Sequence, residues 1–148
     1  MAPRQVWLFK LGCWVAFVTA GVHLTGHVVG PTAPANETER QLTELATTYK
    51  FLMPGGWERS LMDFVNGFSL TFSLFLATVG GLGLMVVRRG QGDPVLLMAT
   101  ARTLAVSSLV LLVINLVYFF LVPAAFILVM ALCFLLASVS PPAPAPES

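Results

Sequence analysis

Residues 6–29 read VWLFKLGCWVAFVTAGVHLTGHVV. This run exceeds the roughly 7–15 residues of a secretory signal's apolar stretch and passes the ~20 residues needed to cross a bilayer. We read it as a retained membrane anchor. Steps of three and four pick out Cys13, Ala16, Ala20, His23, His27 and Gly30 as one seam of a helix. All are small, polar or capable of binding a ligand. Phe9, Val15, Phe17, Val18, Val22 and Val29 are expected to point elsewhere. A seam of this kind in an apolar helix faces protein rather than lipid. It also holds the only two histidines of the chain.

Outward from this run the chain stays apolar. Of its 148 residues 57% are hydrophobic and 10% charged, where soluble domains carry about 25% charged residues. A net charge of +1 with no basic run gives no basis for binding nucleic acid. Cys13 and Cys133 both lie in apolar segments and read as packed thiols rather than a disulfide. Three further segments have spanning length, at 61–87, 94–121 and 123–139. The third opens with Asp93-Pro94, an N-cap followed by proline at the first helical position. The fourth opens at Pro123, so the last two spans must form a tight hairpin. The expected fold is all-α: a four-transmembrane-helix bundle over residues 1–140 as one membrane domain, followed by an extended proline-rich tail at 141–148. Arg4 and Lys10 flank the start of the first span, and Arg88 and Arg89 sit in the short second loop. The positive-inside rule places both on the cytoplasmic side, giving an N-in/C-in topology.

The outer loop, 31–60, carries its own helical signal. Asn36-Glu37-Thr38-Glu39 reads as an N-cap with glutamate at the third helical position. Leu42, Leu45, Ala46, Tyr49 and Leu52 follow at helical spacing. A short amphipathic helix is expected, lying over the bundle's outer mouth or on the outer leaflet, and ended by Pro54-Gly55-Gly56.

The second span repeats the pattern of the first. Asp63, Asn66, Leu70, Ser73, Ala77 and Gly80 form one seam, and Ser108, Leu111, Asn115 and Tyr118 share a face of the third span. At a rise of ~1.5 Å per residue, His23, His27, Asp63, Asn66, Asn115 and Tyr118 all fall within about 10 Å of the outer ends of their spans. Polar groups in a membrane face the bundle and find partners, so one cluster is expected. Three uses are open to it. The set can join helices by hydrogen bonds, with Asp63 accepting from a histidine. It can line a pocket for a small apolar or quinone-like molecule. Or His23 and His27, at i and i+4, can hold a metal ion with Asp63 as a third ligand, a set that suits zinc or non-haem iron. Arg102, on the third span, either snorkels to the inner interface or binds a lipid phosphate or other anion. Gly26-x-x-x-Gly30 and the group Gly80, Gly81 and Gly83 allow close helix contact.

Taken together, His23-x-x-Gly26-His27-x-x-Gly30, Phe51-Leu52-Met53, Arg59-Ser60-x-x-Asp63-Phe64-x-x-Gly67-Phe68-x-Leu70, Ala101-Arg102 and Tyr118-Phe119-Phe120-x-x-Pro123 resemble a family of small, uncharacterised four-helix bacterial integral membrane proteins. The first helix is more distantly similar to the DoxX-like group, some of which are linked to quinone or thiol redox. The resemblance implies a multi-pass protein of the bacterial inner membrane, and it implies that Arg59 and Asp63 stand beside the histidines. It implies no activity. No nucleophile–base pair or phosphate loop is seen, so an enzyme is not the expectation. Two classes of function follow: a protein that binds a small apolar or redox ligand, or a metal, at the outer cluster; or a non-catalytic structural or accessory subunit of a larger membrane complex or homo-oligomer.

Overall fold

The computed structural model describes residues 3–30, 33–89, 93–119 and 121–139. Four helices are long and apolar enough to cross a membrane: α1 (Pro3–Val29), α3 (Leu61–Arg89), α4 (Pro94–Tyr118) and α5 (Leu121–Val139). The chain is a multi-pass membrane protein. Between α1 and α3 lie a shorter helix, α2 (Glu37–Thr48), and an antiparallel pair of strands, β1 (Lys50–Leu52) and β2 (Glu58–Ser60). The proline-rich tail expected at 141–148 lies outside the described residues. The chain has two compact units, one of residues 1–20 and 75–148, the other of residues 21–74.

In the first unit the seam of small residues does what such seams do in an apolar solvent. Lipid drives no hydrophobic association between helices, so packing comes from close approach of backbones. A Cβ at Gly80 would lie 2.8 Å from the Cys13 carbonyl oxygen, and one at Gly83 would lie 2.5 Å from Cys13 Sγ. Gly12 packs in the same way against the Phe134 ring of α5. Cys13 and Ala16 are fully buried, as their place on the seam predicts. Phe9, expected to point away, is also fully buried and meets Phe134 edge to face at 5.5 Å. The reason is periodic: Phe9 stands four residues before Cys13 and extends the same seam by one turn. On the part of α3 in this unit the buried line is Leu76, Gly80, Gly83 and Val87. Helix α4 packs along α5; α4 buries Leu97, Ala101, Ala105 and Ser108, and the buried residues of α5 include Ala124, Ile127, Ala131 and Phe134.

Helix ends follow local chemistry. The Asp93 carboxylate accepts from the Val95 and Leu96 N–H groups with Pro94 first in the helix, as expected. Helix α4 stops at Tyr118 rather than 121, and α5 starts at Leu121 rather than 123. Pro123 therefore sits third in α5, still in the first turn, where the missing N–H has no intrahelical partner to lose.

In the second unit Asn36 caps α2, accepting from the Glu39 N–H at 2.9 Å, while Glu39 accepts from the Ala35 N–H. Tyr49 and Leu52, expected in this helix, lie beyond it: Tyr49 is its C-cap and Leu52 ends β1. Thr47, Thr48, Tyr49 and Phe51 are β-branched or aromatic residues that favour extended chain. The following Met53-Pro54-Gly55-Gly56 forms a turn in which the Gly56 N–H donates to the Met53 carbonyl at 3.0 Å. Gly55 takes φ 93°, the sign that the second central position of a type II turn requires. Phe51 pairs with Arg59 across the strands.

Candidate functional site

The residues expected to form the outer cluster are best followed one at a time. His23, on α1, is half-buried, and its Nε2 lies 2.8 Å from Ser69 Oγ of α3. The Phe72 ring stands edge-on to the imidazole at 5.2 Å. The Ser69 carbonyl in turn accepts from Ser73 Oγ at 3.1 Å. This is a polar clasp between two spans, made inside the second unit. Ser69 was not among the expected site residues. Its signal lay in the sequence: stepping back from Val87 through Gly83, Gly80, Leu76 and Ser73 in fours and threes arrives at Ser69. The seam read from Asp63 drifts off that line, and Leu70, which belongs to it, is 46% exposed.

Asp63 does something other than expected. Its Oδ2 accepts from the Ser60 N–H at 2.8 Å, and its own N–H donates to Ser60 Oγ at 3.1 Å. This reciprocal pair is a capping box at the start of α3. Arg59, the other residue that the family resemblance placed beside the histidines, stacks over the Trp57 ring at 5.9 Å and donates to the Glu58 carbonyl. Among the described residues no three of the histidine, cysteine, aspartate and glutamate side chains come together as a metal-holding group. The His23, His27 and Asp63 ligand set is thus not assembled. The physical reason is that an orphan N–H at a helix start is the nearest strong donor to a carboxylate at its third position.

His27, one turn beyond His23, is half-buried and has no hydrogen-bond partner among the described residues; Asn66 is half-buried as well. Asn115 is buried in the first unit, and its Nδ2 donates to the Leu111 carbonyl of its own helix at 2.9 Å. Tyr118, expected on the same inward face, is the last residue of α4 and is 78% exposed. Arg102 is exposed. Of the six expected cluster residues, His23, His27, Asp63 and Asn66 belong to one unit, Asn115 and Tyr118 to the other. Among the described residues, no buried side-chain nitrogen or oxygen lacks a partner.

The glycines separate in the same way. Gly80 and Gly83 make the close contacts expected of them, whereas Gly21, Gly26, Gly30 and Gly67 have no atom within 4 Å of where a Cβ would stand. Gly26-x-x-x-Gly30 therefore makes no close contact within its own unit. Compared with protein-family models, curated proteins and solved structures, the chain gives no significant match.

Proposed function

We propose that this protein is a non-catalytic structural or accessory subunit of the bacterial inner membrane, assembled with a larger membrane complex or with further copies of itself. The observation that carries this reading is the capping box. Asp63, the one carboxylate that could have activated or completed a histidine site, is engaged by Ser60. His23 likewise spends its Nε2 on Ser69, a contact that joins helices. The first pair caps its own helix and the second joins two spans, so the named groups serve structure among the described residues. The likeness to small four-helix bacterial membrane proteins supports the same reading, since it implies architecture without an activity.

The topology we propose is N-in/C-in, with α2 and the strand pair outside. It rests on Arg4, Lys10, Arg88 and Arg89 as the cytoplasmic cations. Cysteines introduced at Ala35 and Gly90 test it with an impermeant thiol reagent, because the native Cys13 and Cys133 are buried. Ala35→Cys should react from outside and Gly90→Cys only after permeabilisation.

A second reading keeps one observation in its favour. His27 is half-buried without a hydrogen-bond partner among the described residues, one turn from His23. That pair could line a site for a quinone-like molecule. Native purification followed by mass spectrometry separates the two readings. A stoichiometric partner chain, or a mass that is a multiple of 15.9 kDa, fits the subunit. A retained quinone, metal or other small molecule on a lone chain overturns it.

A further inference from the structure

We propose that α2 and the β1–β2 hairpin form one surface that lies in the headgroup boundary of the bilayer that α1 and α3 enter, with lipid as its occupant. This rests on those two helices spanning the membrane, and not on the subunit reading. The surface is apolar and open. Leu42 and Leu45 of α2 are 65% and 60% exposed, and α2 buries no residue at all. On the hairpin side, Tyr49, Phe51, Leu52 and Trp57 are exposed too, with the Tyr49 and Phe51 rings edge to face at 5.0 Å. The opposite side of α2 is polar and internally braced: Arg40 bridges Glu37 at 2.7 Å and Glu44 at 3.1 Å. A helix divided in this way, without a protein partner for its apolar side among the described residues, fits an aqueous–apolar boundary.

Two connections decide which boundary. Ser60 ends β2 and Leu61 begins α3, with no residue between them. The Ser60–Asp63 capping box fixes that joint. A three-residue strand rises only about 10 Å, so the hairpin cannot leave the mouth of α3. On the other side, residues 30–36 separate α1 from α2, a leash of at most about 25 Å. The side chains suit that depth. Trp57 and Tyr49 are the aromatic types that settle at headgroup level, and Arg59 over the Trp57 ring gives the indole a cationic companion facing phosphate. From 37 to 60 the segment carries Arg40, Lys50 and Arg59 against Glu37, Glu39, Glu44 and Glu58. With cations and carboxylates nearly balanced, the attachment comes from apolar and aromatic insertion, so it needs no anionic lipid and resists salt.

The test uses the full chain in phosphatidylcholine nanodiscs, with spin labels at single cysteines replacing Leu42, Leu45, Arg40 or Glu44. Power saturation then compares access to oxygen, which concentrates in lipid, with access to a water-soluble nickel chelate. Labels at 42 and 45 should show an oxygen-to-nickel ratio severalfold above those at 40 and 44, unchanged by salt. A cysteine-free check uses lipids brominated near the headgroup end of the acyl chain. With Trp7 and Trp14 changed to phenylalanine so that Trp57 alone reports, they should quench the emission more than deeply brominated lipids do. Nickel access at 42 and 45 equal to that at 40 and 44 would mean the surface stands in water. Protection from both reagents would mean protein covers it, in the same chain or a second copy. Either result overturns the proposal.

Discussion

One methyl group, placed at two positions of α3, should change stability in opposite directions. At Gly80 an alanine Cβ would stand 2.8 Å from the Cys13 carbonyl oxygen and 2.9 Å from the Phe17 ring. A backbone oxygen in the middle of a helix cannot swing aside, so α1 itself must shift. Overpacking of this kind costs about 1–3 kcal/mol. Against it stands the helix-propensity gain of glycine to alanine, about 1 kcal/mol. At Gly67 nothing lies within 4 Å, so only the gain remains. Both changes sit in one helix and affect the unfolded chain alike, so their difference isolates the contact. Gly67→Ala should hold or raise the melting temperature in detergent, and Gly80→Ala should fall below it by roughly 1–3 kcal/mol, or several degrees at about 2–4 °C per kcal/mol. A thiol-reactive dye is a suited reporter, because Cys13 and Cys133 are buried until the fold opens. If Gly80→Ala melts as high as Gly67→Ala, the close approach of α1 and α3 is wrong. If Gly67→Ala falls as far as Gly80→Ala, Gly67 has a partner that the isolated chain does not supply.

Four further outcomes follow from the polar groups. Ser60→Ala should cost about 0.5–2 kcal/mol, Asp63→Ala should also lower the melting temperature, and the double change should cost less than the sum of the two, because one box is lost either way. Asp63→Ala with His27→Ala should instead be additive in the same melts, since the structure pairs Asp63 with Ser60. His23→Ala and Ser69→Ala should show a coupling of about 0.6 kcal/mol, the usual value for a hydrogen bond between membrane helices; zero coupling would remove the clasp. The Arg40 hydrogen bond, followed by that of Gln41, holds the Glu37 carboxyl below its ordinary range. A depressed carboxyl stabilises the folded form above its unfolded pKa, so this support for α2 is complete at neutral pH and is lost as pH falls below about 4.3. Amide protection at 37–48, taken relative to the intrinsic exchange rate at each pH, should fall with acidification in the parent and respond less in Glu37→Gln.

The four spans were legible because apolar length is a strong signal, and so were the caps at Asn36 and Asp93, where a side chain meets N–H groups within its own turn. The hairpin was missed because Leu42, Leu45, Tyr49 and Leu52 keep helical spacing past the point where Thr47–Phe51 turn to strand-favouring residues. Three-residue strands offer too little alternation to contest it. Asp63 was misplaced for a related reason. Ser60-x-x-Asp63 obeys the rule already applied to Asn36-x-x-Glu39, but the histidines at similar depth drew the carboxylate into a long-range cluster. Local partners need no tertiary arrangement and win that competition.

The same competition explains which polar residues carry information across helices. A hydroxyl or short amide in an apolar helix can turn back to a carbonyl of the preceding turn. Thr19 bonds Val15, Thr25 bonds Gly21, Thr71 bonds Gly67, Thr100 bonds Leu96, and Asn115 bonds Leu111. Each is satisfied within its own helix and specifies nothing about a neighbour. An imidazole has a more distant nitrogen and meets its partner across a gap, as His23 does at Ser69. Depth alone was therefore a poor criterion for membership of a site, whereas inability to bond locally is a sharp one. By that criterion Asn115 and Asp63 leave the argument and the two histidines stay. His23 is accounted for by Ser69 and Phe72. His27 has the same chemistry and no such partner among the described residues. What meets its ring in the native membrane decides between the subunit and the ligand reading, so His27→Phe is the informative change. It should leave a structural subunit assembled, and it should empty a ligand site.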